Sequence, residues 1–202
     1  MTAATPIRIL ALALALLAIT TGAQARTTWF GPQLALPLQA RDIGDSQVGI
    51  SVGLTATDMH RPHVGSGLDL AWHYWPASPG YKAAYDRVLR NRFFRVIDGS
   101  EWAMSAVQAS GHVKVVAPIG DRYTPWLKAG FGVYRVDSRA TGLPGTRITF
   151  APGWYGSTGF DFATGAGTAF GLDASFHQVW MDDFYGRDFT AFTAGTHVLF
   201  GR

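Results

Sequence analysis

A chain of 202 residues with 48% hydrophobic but only 15% charged residues, a formal charge of +3, 24 glycines and no cysteine falls outside the range of ordinary soluble domains, in which charged residues make up about a quarter of the chain. The lack of cysteine excludes a disulfide framework, a thiolate metal site and a lipoprotein anchor. Disorder is excluded as well, because aromatic and branched residues run through the whole chain.

The N-terminus reads as a targeting signal. Arg8 precedes the unbroken apolar run Ile9 to Ile19, and Ala23-Gln24-Ala25 then fits the small-residue cleavage rule. A transmembrane helix would need about 20 apolar residues. The expected organisation is therefore a signal peptide at 1–25 and a single domain at 26–202. Removing the signal takes Arg8 away and leaves a charge of +2, too little to suggest nucleic acid as a partner.

Beyond Trp29 the apolar pattern has period two, the mark of strands with one greasy and one polar face. In the stretch 170–180, Phe170, Leu172, Ala174, Phe176 and Trp180 alternate with Gly171, Asp173, Ser175 and His177; Trp154 to Phe162 splits the same way. The pattern predicts eight strands, at 30–40, 47–57, 64–75, 102–116, 125–136, 153–163, 168–181 and 189–200. Pro32 and Pro37 make the first the least regular, since each removes a ladder donor. Apart from a short first hairpin at 41–46, the connections alternate. Short links at 58–63, 118–124 and 164–167 contrast with longer ones at 76–101 and 137–152, with 182–188 intermediate, as in barrels with short periplasmic turns and longer outer loops.

The polar faces are built of small groups: Gly49, Ser51, Gly53 and Thr55, then Gly65, Gly67, Asp69 and His73, then Ser110, His112 and Lys114, then Lys128, Gly130, Gly132 and Tyr134. Such faces suit a crowded interior better than a solvated exterior, and eight strands enclose a bore just wide enough to be filled by side chains. Tryptophan favours the membrane interface. Trp72, Trp75, Trp102, Trp154 and Trp180 are expected to form an outer girdle, and Trp29 and Trp126 a periplasmic one. The competing reading is a soluble barrel of the lipocalin kind, with its apolar face inward.

Together with a last strand reading FTAFTAGTHVLF, these features resemble the small bacterial outer-membrane β-barrel proteins, the OmpA, OmpX and OmpW-like group. The chain departs from their usual aromatic ending, because Phe200 is followed by Gly201 and Arg202. The resemblance implies an all-β, eight-stranded antiparallel transmembrane barrel in the outer membrane, porin-like in build. The lipid of that membrane, lipopolysaccharide, periplasmic chaperones and the barrel-assembly machinery would be its partners.

Candidate chemistry lies in the inward-facing ionisable residues Asp69, Asp161, Asp173, Lys114 and Lys128, with His73, His112, His177 and His197 nearby. They are expected to form an interior network, since buried charges must be paired. A catalytic alternative would use Ser175, His177 and Asp173, but neighbours at i and i+2 on a strand stand about 7 Å apart, too far for direct relay. The lipid A deacylases carry a histidine-x-serine motif, whereas His177 is followed by Gln178 and Val179. His60 and His63 lack a third metal ligand in sequence, and no cofactor motif is present. In the loop 76–101, Tyr81, Tyr85, Val88 and Leu89 repeat at helical spacing beside Lys82, Arg87, Arg90, Arg92 and Arg95. This predicts a short amphipathic helix whose cations could meet lipid phosphates. A structural or surface-interaction barrel is the leading function, ahead of a narrow channel for small or apolar solutes and of a lipid A-modifying enzyme.

Overall fold

The computed structural model describes residues 27–39, 48–76, 102–140, 147–165, 167–181 and 189–201, with the side chains at 38–39, 75–76, 102–104, 138–140, 147 and 189 outside the described set. Eight strands form: β1 (Thr27–Gln39), β2 (Ile50–Arg61), β3 (Val64–Pro76), β4 (Trp102–Val116), β5 (Tyr123–Ala140), β6 (Arg147–Gly165), β7 (Thr168–Val179) and β8 (Phe189–Gly201). Each pairs antiparallel with its sequence neighbours, and β1 pairs with β8 to close the barrel.

All eight predicted strands are present, and several differ in extent. Strand β2 runs from Ile50 to Arg61 rather than from 47 to 57, so the first connector spans 40–49 and the predicted link 58–63 shrinks to 62–63. Strands β5 and β6 run on to Ala140 and back to Arg147, and the predicted loop 137–152 shrinks to 141–146. Pairing continues from Val136↔Thr149 to Ser138↔Arg147: Ile148 and Phe150 keep an outward apolar face on β6, while Val136 and Ala151 pack inward in an apolar cluster. The connectors at one end, the turn end, span 62–63, 117–122 and 166–167, and those at the other, the loop end, span 40–49, 77–101, 141–146 and 180–188 and are longer on average. Gly120 and Gly167 hold φ of 63° and 76° at the turn end, where a side chain would strain the turn.

The prolines of β1 are accommodated without a change of register. Pairing of β1 with β8 is interrupted between Phe30↔Phe200 and Gln33↔His197, where Pro32 falls, and Pro37 stays in register with Thr193. Pro37 keeps its carbonyl in use, accepting from Gly49 N–H at 3.1 Å.

The two faces are sorted in opposite directions from a soluble protein. Phe30, Leu34, Leu54, Leu68, Leu70 and Leu127 point outward, with Leu54 57% and Leu127 64% exposed, while Asp69, His73, Gln108, His112, Lys114 and His177 are buried inside. No helix among the described residues is long and apolar enough to cross a membrane, which says nothing of a barrel.

The bore is filled by pairing large rings with glycines across the ladder. His112 stands in register with Gly67, Tyr155 with Gly130, Trp126 with Gly159, His197 with Gly171 and Trp29 with Gly201. In each case the ring occupies the space that a Cβ on the glycine would need. At the loop end the lumen closes on an apolar collar of Ala106, Tyr134, Val136, Ala151, Val179, Met181 and Ala191.

Gly130→Ala should therefore cost about 1–3 kcal/mol by overpacking against the Tyr155 ring, and Tyr155→Ala about 3–5 kcal/mol by opening a cavity. In urea titrations of the folded barrel in lipid vesicles, the Gly130→Ala penalty is expected to vanish in the Tyr155→Ala background; strict additivity would show that the ring does not rest on the glycine.

Candidate functional site

The lumen groups come from all eight strands, and the cluster around Asp69 draws on six of them, β1 to β6. Asp69, from β3, is the centre. It accepts from His112 Nδ1 on β4 at 2.8 Å, from Lys128 Nζ on β5 at 3.1 Å, from Gln33 Nε2 on β1 at 3.4 Å and from the Tyr155 hydroxyl on β6. His112 Nε2 is left to accept from the Thr57 hydroxyl of β2 at 2.9 Å. The carboxylate is thus satisfied by four donors from four strands of the barrel wall.

A second centre lies nearer the turn end. Asp161 of β6 accepts from Lys114 Nζ at 2.8 Å, from Trp126 Nε1 at 2.8 Å and from His197 Nε2 at 2.7 Å, while His197 Nδ1 lies 2.9 Å from Asp173 Oδ2. Both nitrogens of His197 face carboxylates, which only accept, so the ring serves both by carrying a proton on each nitrogen. Counted that way, three carboxylates (Asp69, Asp161, Asp173) face three cations (Lys114, Lys128, His197). Lys114 Nζ also sits 4.6 Å from the Trp126 ring centroid, a cation–π arrangement.

Toward the loop end the network turns neutral. His73 Nε2 lies 3.1 Å from Gln108 Oε1, Gln108 Nε2 donates to Ser110 Oγ at 2.8 Å, and His177 Nδ1 lies 3.1 Å from the Tyr134 hydroxyl. The Tyr155 ring stacks on His177 at 5.5 Å.

The structure thus brings Asp69, His112 and Lys128 into one cluster and Lys114, Asp161, Asp173 and His197 into another, with His73 and His177 above them. It does not assemble Ser175, His177 and Asp173 into a relay. Ser175 Oγ is 2.8 Å from Ser157 Oγ, His177 turns to Tyr134 and Asp173 to His197. His60 and His63 also part company, the first 2.5 Å from Ser66 Oγ and the second 3.3 Å from the Val116 carbonyl oxygen, and no group of three metal-ligating residues occurs among the described residues.

The girdle assignment needs correction at the turn end. Trp126 is 5% exposed and bound to Asp161 inside the lumen, and Trp29 faces inward over Gly201. The signal was parity: Trp126 shares its face with Lys128 and Gly130, and Trp29 shares its face with Gly31 and Gln33. At the loop end Trp72, Trp154 and Trp180 do point outward, packed on Tyr74, Phe176 and Phe131 respectively. Trp75 and Trp102 belong to the loop ends of β3 and β4, their side chains outside the described set. The predicted helix with Lys82, Arg87, Arg90, Arg92 and Arg95, and the signal segment 1–25, lie outside the described residues. Sequence reasoning missed Gln33, Thr57, Gln108 and Tyr155 as network members, although Tyr155 shares its strand parity with Ser157, Gly159 and Asp161.

Beneath the network the turn-end mouth widens into a vestibule of about 700 Å³, lined by residues from every strand except β3 and floored by Lys114 and Asp161. Two smaller cavities of about 30 and 20 Å³ lie within the network itself, each large enough for about one or two waters with polar partners.

No protein-family profile matches the chain, and no curated protein matches it. Solved structures do resemble it in fold. Neisserial surface protein A superimposes with a TM-score of 0.55 at 11% sequence identity, covering 89% of this chain and 98% of that one. The outer membrane protein OprG from Pseudomonas aeruginosa gives a TM-score of 0.52 at 11% identity, covering 90% and 98%. At such identities the likeness is one of fold.

Removing one partner of the central cluster should be costly, because it strands a buried charge. Asp69→Asn or Lys128→Met is each expected to cost about 3–5 kcal/mol. The double variant should lose clearly less than the sum in urea unfolding; equal additivity would mean that the two groups are not coupled. The chain is a closed eight-stranded antiparallel barrel, the fold it shares with those two structures.

Proposed function

We propose that the chain is an integral outer-membrane β-barrel with a filled lumen, acting as a structural or surface-interaction protein. The observation that carries this reading is the reversed sorting of its faces: large apolar side chains cover the wall, while a charge-balanced network fills the bore. A wall of exposed leucine, valine and phenylalanine is covered at low cost only by hydrocarbon, and a closed barrel leaves no unpaired edge within it. The outward Trp72, Trp154 and Trp180 would mark one interface.

A channel would need a continuous bore. Here the Asp69 and Asp161 centres and the apolar collar occupy it in turn. A lipid-modifying enzyme would need a serine within reach of a histidine base; the serine that sequence suggested for that role is bonded to another serine, and the Ser66–His60 contact lies apart from it at the turn end. In this reading membrane lipid and lipopolysaccharide surround the wall. Periplasmic chaperones and the assembly machinery deliver the chain, and the signal at 1–25 is removed on export.

The test exploits the one property that a soluble barrel lacks. Leu54→Arg changes a residue already exposed on the wall midway along β2; in a soluble protein it would be near neutral, whereas at the bilayer midplane it should cost about 2–4 kcal/mol. Fractionation should place the chain in the outer membrane with a mobility that shifts on boiling in detergent, and recovery as a soluble periplasmic protein would overturn the proposal. Overexpression should leave the acyl pattern of lipid A unchanged by mass spectrometry.

A further inference from the structure

The turn-end vestibule is not used by any part of the reading above. Its volume of about 700 Å³ lies within the range of small-molecule sites, about 300–1,000 Å³, and its lining is divided as such sites are. Met59, Val116 and Leu199 give apolar walls. The polar groups are unevenly committed. Asp161 on the floor already receives three donors, from Lys114, Trp126 and His197. Lys114 spends one N–H on Asp161 and leaves two of the three donors of its ammonium group without a hydrogen-bond acceptor among the described residues. The indole N–H of Trp29 and the guanidinium of Arg61, both lining the same space, likewise have no acceptor among the described residues. Asp121 at the rim is exposed to solvent, and His60 turns to Ser66. The unspent capacity is therefore donor capacity, set around an apolar wall.

We propose that this vestibule is a binding site for a small monoanionic amphiphile, a carboxylate with an apolar body. The head would meet Lys114 at the floor, where the cation is held in place by Asp161 and the face of Trp126. The body would lie against Met59, Val116 and Leu199, with Arg61 steering the anion at the mouth. An ammonium head finds its one floor carboxylate already occupied, and a neutral head leaves the Lys114 donors unanswered, so the site discriminates by head group rather than by size. The inference concerns the turn-end mouth alone and holds whatever role the loop end plays.

The probe is 4-phenylbutyrate, compared with the alcohol and the amine of the same body, titrated calorimetrically into the full barrel held in lipid nanodiscs, with empty nanodiscs as reference. The acid is expected to bind one site at least tenfold more tightly than either analogue. Lys114→Gln should erase that preference, and Ala169→Trp, which fills the cavity from β7, should abolish binding by all three. Arg61→Gln, on the exposed rim, should weaken the acid alone and keeps the test open if the Lys114 variant does not fold. Equal binding of acid, alcohol and amine, unchanged by Ala169→Trp, would reduce the effect to bilayer partition and overturn the proposal, as would acid heat no greater than that of empty nanodiscs. A failure of the membrane reading would show earlier and separately, as a chain that does not enter nanodiscs with a heat-shifted mobility.

Discussion

The bore of an eight-stranded barrel admits side chains but not two large ones at the same level. Everything else in this molecule follows from that limit. Each ring that enters the lumen needs a neighbour that yields its volume, and the ladder supplies a glycine in register: Gly67 for His112, Gly130 for Tyr155, Gly159 for Trp126, Gly171 for His197 and Gly201 for Trp29. The abundance of glycine, 24 residues in the chain, thus has a steric purpose here. Because the rings lie across the strand boundary, they also fix the register of each hairpin, since a slip by one residue would turn every ring into the wall.

Once the rings are seated, the charges have few places left. Asp69 and Asp161 fall at depths where donors arrive from several strands at once. The cost of burying carboxylates is offset by several short hydrogen bonds each and by an equal number of cations. The asymmetry of the lumen is a consequence of the same packing. Charged groups occupy the half toward the turn end, neutral His, Gln and Tyr groups the next level, and the apolar collar the loop end, which leaves the turn-end mouth as the wide one.

The strand set was legible in the sequence because the wall and the lumen impose opposite polarities on alternate residues. Phe170 to Trp180 displays this in full, as do Asp69, His112, Lys114 and Lys128 on the inward parity of their strands. What could not be read was set by three dimensions. The partners of Asp69 lie 36 to 86 positions away in sequence, and only the staggered register shows that Gln33 and Tyr155 reach the same carboxylate. The ends of β5 and β6 are hidden in sequence because Arg135, Asp137 and Arg139 interrupt the apolar parity of β5 and Pro152-Gly153 reads as a strand boundary in β6. Trp29 and Trp126 were misplaced for a different reason. The general preference of tryptophan for interfaces was allowed to outweigh the parity of the residues beside it, and a bore lined with glycine can accept an indole.

In this barrel lipid faces the wall and protein fills the bore. Single-tryptophan variants reconstituted in vesicles whose acyl chains carry bromine test it directly, since bromine quenches only rings in contact with the lipid. Chains retaining Trp72, Trp154 or Trp180 are expected to be strongly quenched, and those retaining Trp29 or Trp126 to keep nearly their full emission. Strong quenching of Trp126, or none of Trp154, would contradict the arrangement.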